Sequence, residues 1–307
     1  MRFLLPVVLL LPAPAAKAAS ATAGAVILRH DQSARSAALG GGFCADDAGV
    51  DSFGGNPAGV AGAVRPELLS TFTSGVADDA FGFLGYAHPL KAGVVSAGLT
   101  YYDAGTVDVV STDGASRAVS AERDYAGSAG WAMPLLGGVT AGAGAKYYKF
   151  TLGQAASASG FAADFGAQWE TPAPGLRVGA AVQNVGRAAR YESASDPLPL
   201  TGRAGAYWAG KFALGNENSL TAGRAALGVD AVRVLGERVA PVVGGEFAVA
   251  FGPSTEVALR SSYTFNRAAD GLAFGVGVRE GRFTADYALV SKRDLGNVQD
   301  VSLRVRF

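Results

Sequence analysis

The strongest constraint on the fold lies in the last seven residues of the chain. From Val301 to Phe307, every odd position carries an apolar side chain and every even position carries a hydroxyl or a guanidinium. Because side chains of a strand point alternately to its two faces, one face here is wholly apolar and the other is polar. A strand between lipid and a polar lumen has this pattern, and so does an edge strand of a soluble sheet. The ending alone leaves both structures open.

The same alternation recurs from about residue 64 to the end, in segments separated by turn-forming residues. Between positions 161 and 169, for example, the odd positions carry Phe, Ala, Phe, Ala and Trp. Fourteen segments are predicted to form strands, at 65–74, 78–88, 92–103, 120–133, 137–152, 158–170, 175–184, 199–213, 219–232, 239–251, 255–266, 270–279, 282–292 and 297–307. No convincing amphipathic helix interrupts the series, so the pattern indicates an all-β fold.

The predicted connections are sorted by length, which favours a barrel over a sandwich. Connections after even-numbered strands are tight, at 88–91, 134–136, 171–174, 215–218, 252–254 and 280–281, whereas those at 104–119 and 186–198 follow odd-numbered strands and are long. Outer-membrane barrels have short periplasmic turns at one rim, long loops at the other and an even strand count. We therefore predict a transmembrane antiparallel β-barrel of about fourteen strands.

The beginning of the chain predicts export. Arg2 is followed by an apolar run to Pro12 and by the small-x-small site that ends at Ala18, which is typical of a signal peptide spanning residues 1–18. Cleavage at Ala21 is the alternative. No later apolar run approaches the ~18 residues that a transmembrane helix requires, so a membrane location requires a barrel. The expected location is the outer membrane of a Gram-negative type of cell.

Composition argues against several other classes of protein. The chain has 26 basic and 26 acidic residues, and removing the signal peptide leaves a net charge of about −2, which does not suit nucleic-acid binding. Only two histidines are present, His30 and His88, so the sequence offers few residues from which a hydrolase triad or a histidine-rich metal site could be built. We predict no enzymatic activity and no cofactor. The single cysteine, Cys44, is expected to be a small buried hydrophobe.

Residues 19–63 do not alternate and form a separate N-terminal segment before the barrel of residues 64–307. Residues 33–39 can form one or two helical turns, which three glycines at 40–42 end. The acidic residues Asp46, Asp47 and Asp51 then precede the turn-forming run Gly54-Gly55-Asn56-Pro57-Ala58-Gly59. The three aspartates could bind a hard cation, but their spacing lacks an EF-hand pattern. A plain loop before the first strand is the alternative interpretation of the whole segment.

Three runs of this segment resemble a known family. The run 34–43, the pair Asp46-Asp47 and the motif Asn56-Pro57-Ala58-Gly59 are similar to the N-terminal signature of PorV/PorQ-type outer-membrane proteins, which belong to the FadL-like group. Phe53-Gly54-Gly55 departs from relatives that carry an aromatic residue directly before Asn-Pro. The resemblance implies that the segment is a hatch inside the lumen, with the Asn-Pro-Ala turn close to it. The terminal Phe307 likewise resembles the signal that barrel-assembly machinery reads.

Charged and polar positions of the strands are expected to face the lumen. Besides Arg123, the predicted lumen residues are Lys146, Asp164, Arg177, Arg203, Asp230, Glu246, Arg260, Arg279, Asp286, Arg304 and Arg306. Buried charges need partners, so these groups must either meet water or pair with one another and with the hatch. We favour a paired network that holds a plug, with Arg304 near Asp46 or Asp47. An open aqueous porin is the alternative, and strand number does not decide between them.

Three functional hypotheses follow from the sequence. FadL relatives imply passage or binding of hydrophobic small molecules through a hatch-plugged barrel, and PorV relatives imply a carrier or dock for type IX protein secretion. The expected partners are outer-membrane lipid, barrel-assembly machinery and either a hydrophobic ligand or secretion components, with no nucleic acid. A secreted all-β structural or binding protein is the alternative from a different class.

Overall fold

The computed structural model describes residues 25–75, 79–110, 114, 116–153, 156–192, 194–216, 219–267, 271–292 and 296–307. The signal peptide predicted for residues 1–18, with both of its candidate cleavage positions, lies outside the described residues.

The described chain forms a closed antiparallel barrel. Its strands are β1 (Glu67–Ser74), β2 (Ala80–Leu90), β3 (Gly93–Asp103), β4 (Arg123–Pro134), β5 (Val139–Leu152), β6 (Ala156–Glu170), β7 (Leu176–Gly186), β8 (Thr201–Asn216), β9 (Ser219–Val234), β10 (Ala240–Ala250), β11 (Thr255–Thr264), β12 (Leu272–Glu280), β13 (Phe283–Ser291) and β14 (Asn297–Arg306). Each strand pairs with its neighbour in sequence, and β14 pairs with β1 to close the wall. The predicted fold, an antiparallel barrel of fourteen strands, is confirmed.

The wall separates two environments, which is why its sequence has a period of two. On β14 the side chains of Val301 and Leu303 are 53% and 50% exposed on the outer surface, whereas Ser302 and Arg304 are 1% and 6% exposed. Large apolar side chains are exposed on the outside of nearly every strand, while charged and small residues point inward. The outer surface is therefore apolar, and the interior contains the polar groups.

The two rims of the barrel differ. One rim, called here the short-turn rim, carries the connections 91–92, 135–138, 171–175, 251–254 and 281–282. Gly281, with a φ of +56°, permits the two-residue turn at 281–282. The opposite rim, called the long-loop rim, carries connections that contain two small hairpins, Thr106–Val110 with Ser116–Ser120 and Ala189–Arg190 with Ser195–Asp196.

The N-terminal segment, residues 25–63, lies inside the barrel. It contains 3₁₀ turns at Val26–Leu28, Gly49–Ser52 and Pro57–Gly62 and one short helix, α1 (Ala34–Ala38). The side chain of Ser33 caps α1 by accepting a hydrogen bond from the backbone N–H of Ser36 at 3.0 Å. Alanines of α1 pack against Ala288 on β13. The helices of the described chain all fall short of the length and hydropathy that a membrane-crossing helix needs.

Candidate functional site

The residues predicted to face the lumen lie on the inner surface of the wall. Eight of them are buried: Lys146, Asp164, Arg203, Asp230, Glu246, Arg260, Asp286 and Arg304. Arg177, Arg279 and Arg306 are partly exposed, and each of the three forms an ion pair, with Asp47, Glu256 and Glu67 respectively. Arg123, which was also predicted to face the lumen, instead lies on the outer surface, where it pairs with Asp103 at 2.9 Å. The inward residue at that end of β4 is its neighbour Asp124.

Glu246 on β10 connects α1 to the wall. Its carboxylate pairs with Arg260 of the next strand, with Arg224 at 2.5 Å and with Arg35 of α1 at 3.2 Å. Arg35 also reaches Asp46 within the N-terminal segment at 2.7 Å. Burying a carboxylate costs free energy because the group loses its water. Several charge-assisted hydrogen bonds from the surrounding guanidiniums offset that cost here. The cluster therefore fixes α1 at one height in the barrel.

Arg203 on β8 holds the turn that follows α1. Its Nη1 and Nη2 donate hydrogen bonds to the carbonyl oxygens of Gly41 and Gly42 at 2.9 and 2.8 Å. These glycines have φ angles of +97° and +68°, which other residues rarely adopt, and this explains the three consecutive glycines. The same guanidinium lies 3.8 Å from Asp230, whose carboxylate accepts a hydrogen bond from the backbone N–H of Cys44.

The Asn56-Pro57-Ala58 turn lies against β5 and β6. Asn56 donates from Nδ2 to the carbonyl oxygens of Cys44 at 2.6 Å and Ala167 at 3.2 Å, and its Oδ1 caps the turn by accepting from Ala58. Gln168 on β6 donates to the carbonyl of Cys44 as well, at 3.0 Å. Two side-chain amides thus satisfy the buried backbone carbonyl of Cys44, which lies outside the strands.

Glycines on the inner wall let the turn approach this closely. A Cβ added at position 142 would lie 2.4 Å from the backbone of Pro57, and one at position 179 would lie 2.4 Å from the carbonyl oxygen of Cys44. The backbone of the N-terminal segment therefore touches the backbone of the wall at these points.

The three aspartates of the N-terminal segment have three different arginine partners. Asp46 pairs with Arg35, Asp47 with Arg177 and Asp51 with Arg304. The prediction that Arg304 pairs with Asp46 or Asp47 is wrong, because the 3₁₀ turn at 49–52 brings Asp51 to β14 instead. Cation binding by the trio is also disfavoured, since each carboxylate is used by a guanidinium.

Other groups of the site have no clear signal in the sequence. Asn184, with a φ of +58°, forms a bulge where the β6–β7 register shifts, and it accepts a hydrogen bond from Lys146 beside Asp164. Gln183 donates to the carbonyl of Gly54 at 2.6 Å. Neutral amides among small residues do not stand out in an alternating strand. Burial raises the pKa of the Cys44 thiol, which is therefore an unreactive donor to the carbonyl of Gly179.

Two cavities flank the N-terminal segment. The first, the outer vestibule, has a volume of about 700 Å³ and opens toward the long-loop rim. Its wall includes the inward side chains of Val232, Val242, Val290 and Val298, and its floor includes Gly40 and Gly41 next to Arg203. The second, the charged chamber, has a volume of about 370 Å³ near the short-turn rim and is lined mainly by arginines and carboxylates. The two share no lining residue.

The barrel resembles solved structures at low sequence identity. No family model matches the chain, and no curated protein sequence matches it significantly. The Pseudomonas putida toluene transporter TodX has a TM-score of 0.53 at 13% identity, covering 89% of this chain and 96% of its own. A TodX deltaS2S3 mutant, described as a monoaromatic hydrocarbon channel, gives 0.54 at 12%, covering 90% and 99%. The CymD monoaromatic hydrocarbon channel gives 0.51 at 12%, covering 89% and 96%. These similarities establish the fold.

Proposed function

We propose that this chain is an outer-membrane barrel of the FadL-like type that binds hydrophobic small molecules in the outer vestibule and passes them beyond the N-terminal segment. The observation that carries the proposal is the vestibule itself, a cavity of about 700 Å³ whose wall includes inward-facing valines together with charged groups such as Arg29, Asp31 and Lys292. Inward positions of a barrel that only conducts ions or water would be polar. A cavity that combines apolar wall side chains with polar groups is instead typical of a small-molecule site.

The outer surface supports the membrane location. Outward side chains such as Leu99, Phe161 and Leu227 are more than 60% exposed, and they belong to a nearly continuous apolar surface around the barrel. Large exposed apolar surface destabilises a soluble monomer but matches lipid. This favours outer-membrane lipid as a partner over a secreted soluble all-β protein. Phe307 directly follows β14 at the short-turn rim, and its resemblance to an assembly signal supports barrel-assembly machinery as a proposed partner.

The comparisons support the same class of ligand. Structures with a similar fold carry the descriptions toluene transporter and monoaromatic hydrocarbon channel. We extend that ligand class to this chain because the vestibule offers apolar walls of suitable size. No step of the proposal requires a nucleophile or a cofactor, so the protein acts by binding and passage rather than by catalysis.

Passage requires the N-terminal segment to move. The segment separates the vestibule from the charged chamber and is held by ion pairs from Arg35, Arg304 and Arg177. In this proposal it acts as the hatch that its sequence resemblance implies. The same firm closure favours one second candidate, a carrier or docking barrel for secretion of the type IX kind, since a dock needs no open lumen. Co-purification of a secretion translocon would support that candidate.

Binding in the vestibule can be tested with toluene as the probe. The substitution Val298→Asn places an amide in the vestibule wall, whereas Val64→Asn makes the same chemical change at an 83% exposed site before β1. We expect Val298→Asn to weaken toluene binding to the refolded protein by about tenfold, since an unpaired amide costs roughly 1–3 kcal/mol in an apolar site. Val64→Asn should not change it. Equal toluene binding by both variants would exclude the vestibule as the site.

A further inference from the structure

The charged chamber has a chemistry of its own that passage of a hydrophobic molecule does not use. Six arginines line it: Arg35, Arg224, Arg260, Arg279, Arg304 and Arg306. Four carboxylates line it with them, so arginines are in excess at its surface. The further carboxylates of Asp51, Glu246 and Asp286 lie behind this surface with almost no exposure.

Three inward residues of the chamber lie side by side on adjacent strands. Thr284 on β13 is directly opposite Arg279 on β12 and directly opposite Arg304 on β14. Side chains at directly opposed positions of an antiparallel pair have Cβ atoms about 4.5–5.5 Å apart, so Thr284 lies between the two arginines on the inner face of the wall. Arg306 is two residues farther along β14 and points to the same face.

Two buried donors in this group have no partner among the residues that the structure describes. Within that part of the chain, neither the Oγ1 of Thr284 nor the Nε of Arg304 has a hydrogen-bond partner, although both residues are more than nine-tenths buried. Buried polar atoms are nearly always satisfied, so such a pair points to a ligand or an ordered solvent molecule. Both side chains line the chamber.

The ion pairs of the arginines leave donors available. Arg304 uses Nη1 for Asp51, Arg279 uses Nη2 for Glu256, and Arg306 uses Nε for Glu67. Each guanidinium has five N–H groups in a planar fork that matches a carboxylate or a phosphate. With the hydroxyl of Thr284 on the strand between them, these donors have the chemistry that an oxyanion requires.

We propose that the charged chamber binds a small oxyanion, a phosphate or a carboxylate, between Arg279, Thr284 and Arg304. The anion enters from the short-turn rim, where the chamber opens beside Glu67 and Arg306. There it accepts hydrogen bonds from the hydroxyl of Thr284 and from the Nε of Arg304. Because Arg304 also holds Asp51, the bound anion lies next to one of the contacts that keep the N-terminal segment in place.

Calorimetric titration of the refolded protein in a nonionic detergent tests this site. Sodium phosphate and sodium acetate are titrated separately, with sodium chloride keeping the ionic strength constant, because general screening would otherwise mimic binding. Saturable binding of phosphate or of acetate supports the site and identifies which oxyanion it takes. Absence of saturable binding by both anions overturns the proposal.

Substitutions locate the binding. Thr284→Val keeps the shape of the side chain but removes the hydroxyl, and we expect it to weaken binding by about tenfold, the effect of losing one hydrogen bond to a charged group. Arg65→Gln removes an exposed charge before β1 and should leave the affinity unchanged. If Thr284→Val does not show the heat-modifiable gel migration of a folded barrel, Arg279→Gln takes its place. Unchanged affinity in the folded variant overturns the proposal. The titration contains no hydrophobic ligand, so a negative result would not contradict the proposed binding of hydrophobic molecules in the vestibule.

Discussion

The ion pair between Arg304 and Asp51 offers a quantitative test of how the N-terminal segment is held. The two side chains are 7% and 1% exposed, and Asp51 lies in the 3₁₀ turn at Gly49–Ser52 while Arg304 lies on the closing strand. The substitution Arg304→Met removes the cation and leaves the carboxylate buried. Removing one partner of a buried ion pair, which leaves the other charge unpaired, destabilises a protein by about 3–5 kcal/mol.

That cost should be relieved by release of the segment rather than by opening of the wall. The backbone pairing of β14 with β1 and β13 does not depend on the side chain of Arg304. A change of 3–5 kcal/mol raises the population of the released segment by roughly two to four orders of magnitude. Hydrogen–deuterium exchange should therefore accelerate in peptides covering residues 43–63 but not in peptides of the strands.

A double-mutant cycle separates the pair from its surroundings. Asp51→Asn combined with Arg304→Met removes both charges, and we expect a coupling energy of about 2 kcal/mol or more. The exposed pair Arg123–Asp103 is the control, since its arginine is 48% exposed and surface ion pairs contribute little to stability. A coupling near zero for the buried pair, or equal exchange in Arg304→Met and Arg123→Met, would refute the reasoning.

Two further predictions concern packing and pH. Gly142→Ala should loosen the segment by about 1–3 kcal/mol, because the new methyl group meets the backbone of Pro57, whereas Gly82→Ala, with open space at its Cβ, should be nearly neutral in the same exchange measurement. Burial lowers the pKa of His30, which stacks on Phe81 with ring centroids 4.0 Å apart, although the nearby Asp31 opposes the shift. The unfolded chain then binds the proton more readily, so the stability that His30 contributes is present above pH 6.5 and is lost as the pH falls below it. His30→Gln should flatten the dependence of segment exchange between pH 7 and pH 5, and an unchanged slope would contradict this.

The strands were predictable because a barrel wall has two sharply different sides. The predicted strand 297–307 corresponds to β14 (Asn297–Arg306), and the predicted strand 158–170 corresponds to β6 (Ala156–Glu170). The largest departure among strand starts is β4, predicted from residue 120 but beginning at Arg123. Residues 116–120 there belong to a separate hairpin, and alternation continues through both elements without marking the break.

The partners inside the lumen were harder to predict than the residues that face it. A period of two places Arg304 and Glu246 on the inner face, but it does not specify which part of the N-terminal segment reaches them. The path of that segment depends on the left-handed glycines at 40–42 and on short 3₁₀ turns, so Asp51 rather than Asp46 meets Arg304. The failure at Arg123 has a different origin, since unbroken alternation along β4 places residue 123 on the same outward face as Tyr125 and Trp131, and its charge alone had suggested the lumen.

In the proposed function, the N-terminal segment fills the lumen and must move before a ligand can pass. Ala38 of α1 packs in one cluster with Ala288 of β13, so Ala38→Cys with Ala288→Cys, in a Cys44→Ser background, should form a disulfide between segment and wall. We predict that toluene uptake into vesicles containing this variant stops on oxidation and returns on reduction. Uptake that proceeds equally in the oxidised and reduced protein, with the disulfide formed, would contradict the account.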